Sequence, residues 1–372
     1  MLTQGNSPKK KILFYGRFPP PFTGETIGTS LVHSTFMKHH EVTKIEAIKM
    51  DRTLQTSRLR LGGAYLGSLI TCLLSLLTKS HDYLYFVPGS SISGYFRDLA
   101  IIGFARIRKV QVIIHIRSGK YHQLFDKTYL PLKAQYLKGL SKIIALSEFL
   151  SLPFKNIVDP NIITVVSNTI DEEIVFNDSE ISRKISERKN RKSLSVIYVS
   201  NMIKSKGYLD LTHAVAAIPD EYNINLTLIG SWMRSTDKYD FMSLIEQLPS
   251  PKRFNLLSPI KDRRELKEIY SNADVFVLPT YYPVEAQPRS ILEALNSGTP
   301  VISTNHASIP EVIEHGLNGL LVQKKNPEDI AQAIIQMWDV KKWERFALAA
   351  RESYLSKFSR DVINHQLLAT IG

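Results

Sequence analysis

The sequence predicts an α/β protein of two doubly wound domains in tandem. Two observations carry this. Short β-branched runs alternate with longer helical stretches over the front half, and the alternation restarts at residue 194 after a charged interruption. Strands separated by helices imply parallel sheets covered on both faces. The 372 residues are then enough for two domains of ordinary size.

In the front half, residues 11–15, 42–48, 83–87, 110–116 and 142–146 are predicted strands, and 162–166 is a further one. Residues 29–39, 61–78, 94–106 and 131–140 are predicted helices. Residues 177–193, NDSEISRKISERKNRKS, are rich in charge and poor in apolar positions, and are expected to form a solvated linker. Beyond it, 194–199, 225–229, 274–279, 300–304 and 320–322 are predicted strands. Helices are expected over 208–218, 262–271, 289–297 and 327–337, the last capped by Asn326. Residues 352–368 are predicted to form a terminal helix. The expected division is a first domain at 1–175, a linker at 176–193, a second domain at 194–351 and a last segment at 352–372.

Composition narrows the chemistry. A single cysteine, Cys72, excludes a disulfide framework and a multi-cysteine metal site, and fits a reducing compartment. The net charge of +12 is uneven: residues 1–175 hold 22 basic and 12 acidic side chains, residues 176–372 hold 25 and 23. Such a front half attracts an anionic membrane, a nucleic acid or a phosphorylated substrate. Nucleic acid is not expected, because no aromatic residue interrupts the charged run at 177–193. The apolar run after Lys9–Lys11 stops at Gly16 and is read as a strand, not a signal core. Residues 61–77 are 17 positions without a charge, flanked by Arg58, Arg60 and Lys79. A spanning helix wants about 20 apolar residues, so a buried helix is expected, with a helix resting on a membrane as the alternative.

The strongest motif is DVFVLPTYYPVEAQPRSILEALNSGTPVIST at 274–304. A buried strand runs into a proline loop, Glu285 follows, and a helix begins near Pro288 or Arg289, with Arg289 and Ser290 in its first turn. The backbone N–H groups of Arg289 and Ser290 and the Arg289 guanidinium suit a phosphate. Glu293, about 6 Å deeper along the helix, can accept hydrogen bonds from hydroxyls. The segment resembles the E-x7-E element of the retaining glycosyltransferases of family 4, which have two facing Rossmann-like domains, the GT-B architecture. GTPVIST and the segment IPEVIEHGLNGLLV at 309–322 are similar to that family's closing stretch.

A second match follows the strand at 194–199. Ser200-Asn201-Met202-Ile203-Lys204-Ser205-Lys206-Gly207 resembles the family's Gly-Arg-Leu, three residues, Lys-Gly. Lys206 falls on the lysine that the resemblance assigns to the donor diphosphate. Asn201 stands where the family has arginine, so one cation is missing. The resemblance implies that Gly230 lies against the nucleotide and that the loop Ser258-Pro259-Ile260 recognises the base through its backbone. In the front domain, Pro19 to Thr26 resembles the family's loop over phosphates and acceptor, with Gly24 and Thr26 as its candidates. His115, near the end of a strand, is the candidate that reaches the donor sugar. Arg117 is the alternative in that register, and His122 lies further on.

What the resemblance implies is a metal-independent transfer of a sugar from a UDP- or GDP-linked donor with retained configuration, with no further cofactor. Glu285 would bind donor-sugar hydroxyls, Glu293 the ribose, and Lys206 and Arg289 the leaving charge. The terminal helix would cross back to the first domain. The expected acceptor is a lipid-linked or surface-polysaccharide glycan, and the expected place is cytoplasmic, peripheral at the inner face of the cell membrane. A soluble phosphorylated acceptor, a nucleotide-sugar epimerase and a glycan-binding protein on a degenerate transferase fold are the alternatives, the last kept open by Asn201. A dinucleotide dehydrogenase is not expected, since no G-x-G-x-x-G follows the first strand.

Overall fold

The computed structural model describes residues 8–20, 22–47, 58–127 and 130–371. The chain divides into two compact units, Met1–Ser167 with Asp361–Gly372, and Asn168–Arg360.

Unit 1 begins with β1 (Lys11–Gly16), α1 (Gly24–His39), β2 (Glu41–Glu46) and α2 (Arg58–Thr78). It continues with β3 (Tyr83–Phe86), α3 (Ile92–Ile107) and β4 (Gln111–Ile116). The helices α4 (Lys120–Lys127) and α5 (Leu130–Leu137) precede β5 (Lys142–Ala145), α6 (Glu148–Lys155) and β6 (Ile163–Val165). The sheet is parallel in the order β2-β1-β3-β4-β5-β6. Ile12 to Tyr15 are wholly buried, as a central strand covered on both faces requires. The strand order reverses between β1 and β3, and the loops leaving these two strands part there, which is where a doubly wound sheet opens a crevice.

Helix α2 takes the segment whose environment the sequence left open. Cys72, Ser75 and Leu76 are buried, while Leu66, Ile70, Leu74 and Leu77 are exposed on the other side. Among the described residues no helix is long and apolar enough to cross a membrane.

Unit 2 opens with α7 (Asp178–Asn190), β7 (Leu194–Val199), α8 (Tyr208–Ala217) and β8 (Ile224–Ile229). Then come α9 (Ser235–Glu246), β9 (Phe254–Leu257), α10 (Arg263–Asn272) and β10 (Val275–Leu278). After α11 (Arg289–Asn296) and β11 (Val301–Thr304) follow β12 (Gly319–Val322), α12 (Pro327–Gln336) and α13 (Val340–Lys357). Its parallel sheet runs β12-β11-β10-β7-β8-β9, with the reversal between β7 and β10. The chain ends in α14 (Arg360–Leu368).

Three expectations are corrected. The expected linker at 176–193 is mostly helix α7, which belongs to unit 2. Its charges do not all face water. Lys184 Nζ donates to the carbonyls of Tyr270 (2.7 Å) and Ser297 (3.0 Å) and to Thr299 Oγ1 (2.5 Å). Arg188 and Arg191 lie 3.7 and 3.0 Å from Oδ1 of Asp274, which is fully buried. The terminal helix expected over 352–368 is broken at Phe358, whose carbonyl accepts from Thr169 Oγ1 at 2.8 Å. Only its second part crosses: Ile363, Leu367 and Ile371 pack in the core of unit 1, and Asn364 Oδ1 accepts from Thr35 at 2.7 Å. The unit borders accordingly fall after Ser167 and Arg360 instead of at 175 and 351. The predicted strand at 42–48 stops at Glu46, and Ile48 lies outside the described residues, as does Pro21 in the loop before α1.

Candidate functional site

In unit 2 the site forms where β7 and β10 part. The turn between β7 and α8 is held against the loop after β10 by Gly207, whose φ of 81° is the left-handed region. A Cβ there would stand 2.3 Å from the Pro279 carbonyl oxygen, so only glycine allows this approach. The two loops lock through Tyr281 N–H to Ser205 O at 2.8 Å. The result is a contact between the sequence's two best candidates: Lys206 Nζ lies 2.6 Å from Glu285 Oε2. Thr280 Oγ1 donates to the same oxygen at 3.1 Å. Both charged side chains are largely buried, so each depends on the other: removing one partner of such a pair costs roughly 3–5 kcal/mol.

The second pair lies on α11. Pro288 precedes the helix and gives it no side-chain cap. Arg289 is buried, its Nη2 is 3.3 Å from Asp171 Oδ2, and neither of its terminal nitrogens has a hydrogen-bond partner among the described residues. Burial pulls its pKa down, and Asp171 and Glu293 oppose that. Glu293 is also buried and fully engaged: Arg263 donates to Oε1 at 2.5 Å and the Tyr270 hydroxyl to Oε2 at 3.1 Å. Arg263 also reaches Asp171, at 3.0 Å. Asp171, Arg263, Arg289 and Glu293 thus make an alternating charge quartet. The sequence reading missed Arg263, although it lies three residues beyond the flagged loop ending at Ile260, at the start of a helix.

The remaining unit 2 candidates have lesser parts. Gly230 is required, because a Cβ would meet the Ser200 carbonyl oxygen at 1.8 Å. Asn201 is exposed, and its carbonyl accepts from the Tyr198 hydroxyl at 3.2 Å. Ile260 is half-buried against the unit 2 core, and the Ser290 carbonyl accepts from Tyr270 at 3.3 Å.

In unit 1 a cavity of about 480 Å³ opens where β1 and β3 part. Arg17 after β1, Val87 to Ser91 after β3 and Arg117, Ser118, Lys120 and Tyr121 after β4 line it, with Glu25 from α1. Arg117 lines this cavity and His115 does not. His115 is buried beneath it, its Nε2 3.4 Å from Arg117 Nη1 and its Nδ1 2.7 Å from the Tyr85 hydroxyl. With the guanidinium donating to Nε2, the ring proton sits on Nδ1 and is donated to Tyr85. Burial, aided by the Arg117 charge, holds the His115 pKa well below its ordinary value, so the ring stays neutral. Arg117 in turn lies across α1 at Gly28, where a Cβ would be 1.7 Å from Nη2. Of the loop candidates, Thr26 closes a capping box with Thr23 and is buried, while Gly24 is exposed as the first residue of α1. Among the described residues no three His, Cys, Asp or Glu side chains converge as a metal site.

A family model described as "Glycosyl transferases group 1" matches residues 178–352, which is most of unit 2 and begins at the first residue of α7. The putative colanic acid biosynthesis glycosyltransferase WcaL of Salmonella typhimurium is 28% identical over 187 residues, 48% of this chain and 45% of that protein. An uncharacterized glycosyltransferase of Methanocaldococcus jannaschii, MJ1607, is 30% identical over 174 residues, 45% of this chain and 42% of that one. The chain thus spans about half the length of the curated relatives it matches. Among solved structures, Anabaena HepE in complex with UDP superposes with a TM-score of 0.72 at 17% identity, over 97% of this chain and 99% of that one. At that identity the likeness is one of fold, the GT-B fold of two Rossmann-like domains.

Proposed function

We propose that the protein is a retaining, metal-independent glycosyltransferase of family 4, moving a sugar from a UDP- or GDP-linked donor to a hydroxyl of a lipid-linked glycan in surface polysaccharide assembly. The observation that carries this reading is the Lys206–Glu285 contact at the unit 2 switch point. Lys206 supplies a fixed cation for the charge that grows on a departing diphosphate. Glu285 Oε2 is engaged by Lys206 and Thr280, so Oε1 is the oxygen for donor-sugar hydroxyls. Arg289, ion-paired with Asp171 and with two terminal nitrogens lacking hydrogen bonds among the described residues, supplies the second cation that Asn201 does not. Glu293 takes the ribose by exchanging one of its present donors. The reaction is a same-face displacement in which the leaving phosphate helps deprotonate the acceptor. Arg117 faces the substrate in unit 1, and His115 is the positioning residue behind it.

Relatives named for colanic acid biosynthesis, and a fold neighbour that holds UDP, support the substrate classes. A place at the inner face of the cell membrane is supported by the exposed Leu66, Ile70, Leu74 and Leu77 of α2 together with the basic charge of unit 1. The test is a panel of nucleotide sugars scored for binding and for slow hydrolysis. One UDP- or GDP-sugar is expected to bind and to release its sugar with the anomeric configuration kept, and Lys206→Ala to abolish release. Isomerised donor in place of free sugar would make the protein an epimerase.

A further inference from the structure

The cavity of unit 1 has a character that the donor site does not explain. Four cations line it, Arg17, Arg97, Arg117 and Lys120, against one carboxylate, Glu25. Arg97 is cancelled locally: its Nε donates to Asp98 Oδ1 at 2.7 Å, and Asp98 is held by Gly89 N–H at 2.7 Å. The other lining charges, three cations and Glu25, sum to +2. Ser90, Ser91 and Ser93 add hydroxyls at the positive end of the sixteen-residue helix α3. Gly89 and Gly94 bring the turn close, since a Cβ on Gly89 would be 2.6 Å from Gly94 Cα. One more observation points to a ligand. Tyr121 lines the same cavity, is only 2% exposed, and its hydroxyl has no hydrogen-bond partner among the described residues. A buried hydroxyl left unmatched is destabilising, and an acceptor entering the cavity removes that cost.

We infer that this cavity binds a phosphate group carried by the acceptor, with Arg17, Arg117 and Lys120 supplying charge and the Tyr121 hydroxyl donating to a phosphate oxygen. The inference rests on the reading that unit 2 holds the donor diphosphate, which leaves the unit 1 cations for the other substrate. Glu25 then faces hydroxyls of the attached sugar. The rim includes Gly62 and Tyr65 of α2, immediately before the exposed Leu66. A phosphate on a lipid carrier and a phosphate on a free sugar present the same oxygens to these residues.

The test uses the full chain, titrated with glucose 1-phosphate, with glucose, and with a polyprenyl-diphosphate-linked sugar in detergent micelles. A phosphorylated probe is expected to bind at least tenfold tighter than glucose. Tyr121→Phe, which removes only the hydroxyl, and Lys120→Gln, at an exposed position, should each weaken it about tenfold and leave nucleotide-sugar binding as in wild type. Lys206→Ala should weaken the nucleotide sugar and leave the phosphorylated probe unaffected. Saturable binding of glucose 1-phosphate assigns the site to a free ester, and binding of the lipid-linked probe alone assigns it to a lipid carrier. Glucose binding as tightly as its phosphate, or neither phosphorylated probe binding, overturns the inference while the donor reading stands. So does loss of the phosphorylated probe in Lys206→Ala but not in Tyr121→Phe. Nucleotide-sugar binding that is lost in Tyr121→Phe and kept in Lys206→Ala would instead sink the donor reading.

Discussion

The two units share one construction plan and differ in where their charges go. Unit 1 holds 22 basic and 10 acidic residues, so the whole net charge of +12 sits in it, and unit 2, with 25 of each, is neutral. The chains of contacts differ in the same way. In unit 2 the site cations are paired with carboxylates, Lys206 with Glu285 and Arg263 and Arg289 with Glu293 or Asp171. In unit 1 the cavity cations outnumber the acids around them. The sheets differ as well: unit 1 reverses at β1/β3 in a 2-1-3-4-5-6 order, whereas unit 2 is 6-5-4-1-2-3 when its strands are renumbered from β7. A neutral, internally paired site holds a defined geometry before its ligand arrives, while an excess of cations draws an anion in from solution. The site whose charges are already paired thus lies in unit 2, and the net field that attracts anions in unit 1.

The sharpest way to break this contrast is at Lys206. Lys206→Ala removes the cation proposed to meet the leaving group, and donor turnover should fall about 10²–10³-fold. Glu285 is also left buried beside Thr280 alone, so the unit should lose about 3 kcal/mol in denaturant titrations. Unchanged turnover would mean that the pairing in unit 2 is only structural.

Next in size is the ion cluster under α7. Asp274→Ala leaves Lys184, Arg188 and Arg191 facing one another without their carboxylate, and unit 2 should be destabilised by about 3–5 kcal/mol. If residues 177–193 were a solvated linker, the same substitution would leave those cations in water and cost far less.

That helix marks the limit of what the sequence made legible. The strands could be read because a strand covered on both faces is a continuous apolar run, a local signal. The strand and helix within 274–304 were legible from equally local patterns, and they stand as β10 and α11. α7 was not, because its cations are matched by Asp274, over eighty residues away, and no local pattern reveals a distant partner. Arg263 was missed on similar grounds, since its acids are Asp171 and Glu293. His115 and Arg117 could not be separated, because residues two apart point to the same face of a strand. What separates them is that β4 ends at Ile116 and Gly28 of another element clears room for Arg117.

Acidification sharpens the contrast further. His33, His40, His81 and His115, all in unit 1, have pKa values lowered by burial. A histidine whose folded pKa lies below its unfolded value stabilises the fold fully above about pH 6.5, and that stability drains away as pH falls below it. For a ring as buried as His115 the slope is about 1.4 kcal/mol per pH unit. Unit 1 should therefore melt at markedly lower temperature at pH 5.5 than at pH 7.5, and His115→Asn should flatten part of that dependence. Equal acid sensitivity of unit 2, read by exchange of its amide hydrogens, would remove histidine burial as the distinction.

The smallest effect tests whether the charge of unit 1 works at a membrane. Ile70 and Leu74 are exposed, 48% and 53%, so a charge there costs the fold little. On a bilayer each side chain would bury, worth roughly 1.5–3 kcal/mol. Ile70→Glu should thus reduce binding to anionic-lipid vesicles about tenfold, with the melting temperature unchanged. Raising salt should weaken the wild type too, because the basic residues of unit 1 are screened beyond about 10 Å at 0.1 M. Vesicle binding that ignores both Ile70→Glu and salt would place the membrane contact elsewhere than α2 and leave the excess charge of unit 1 to its cavity alone.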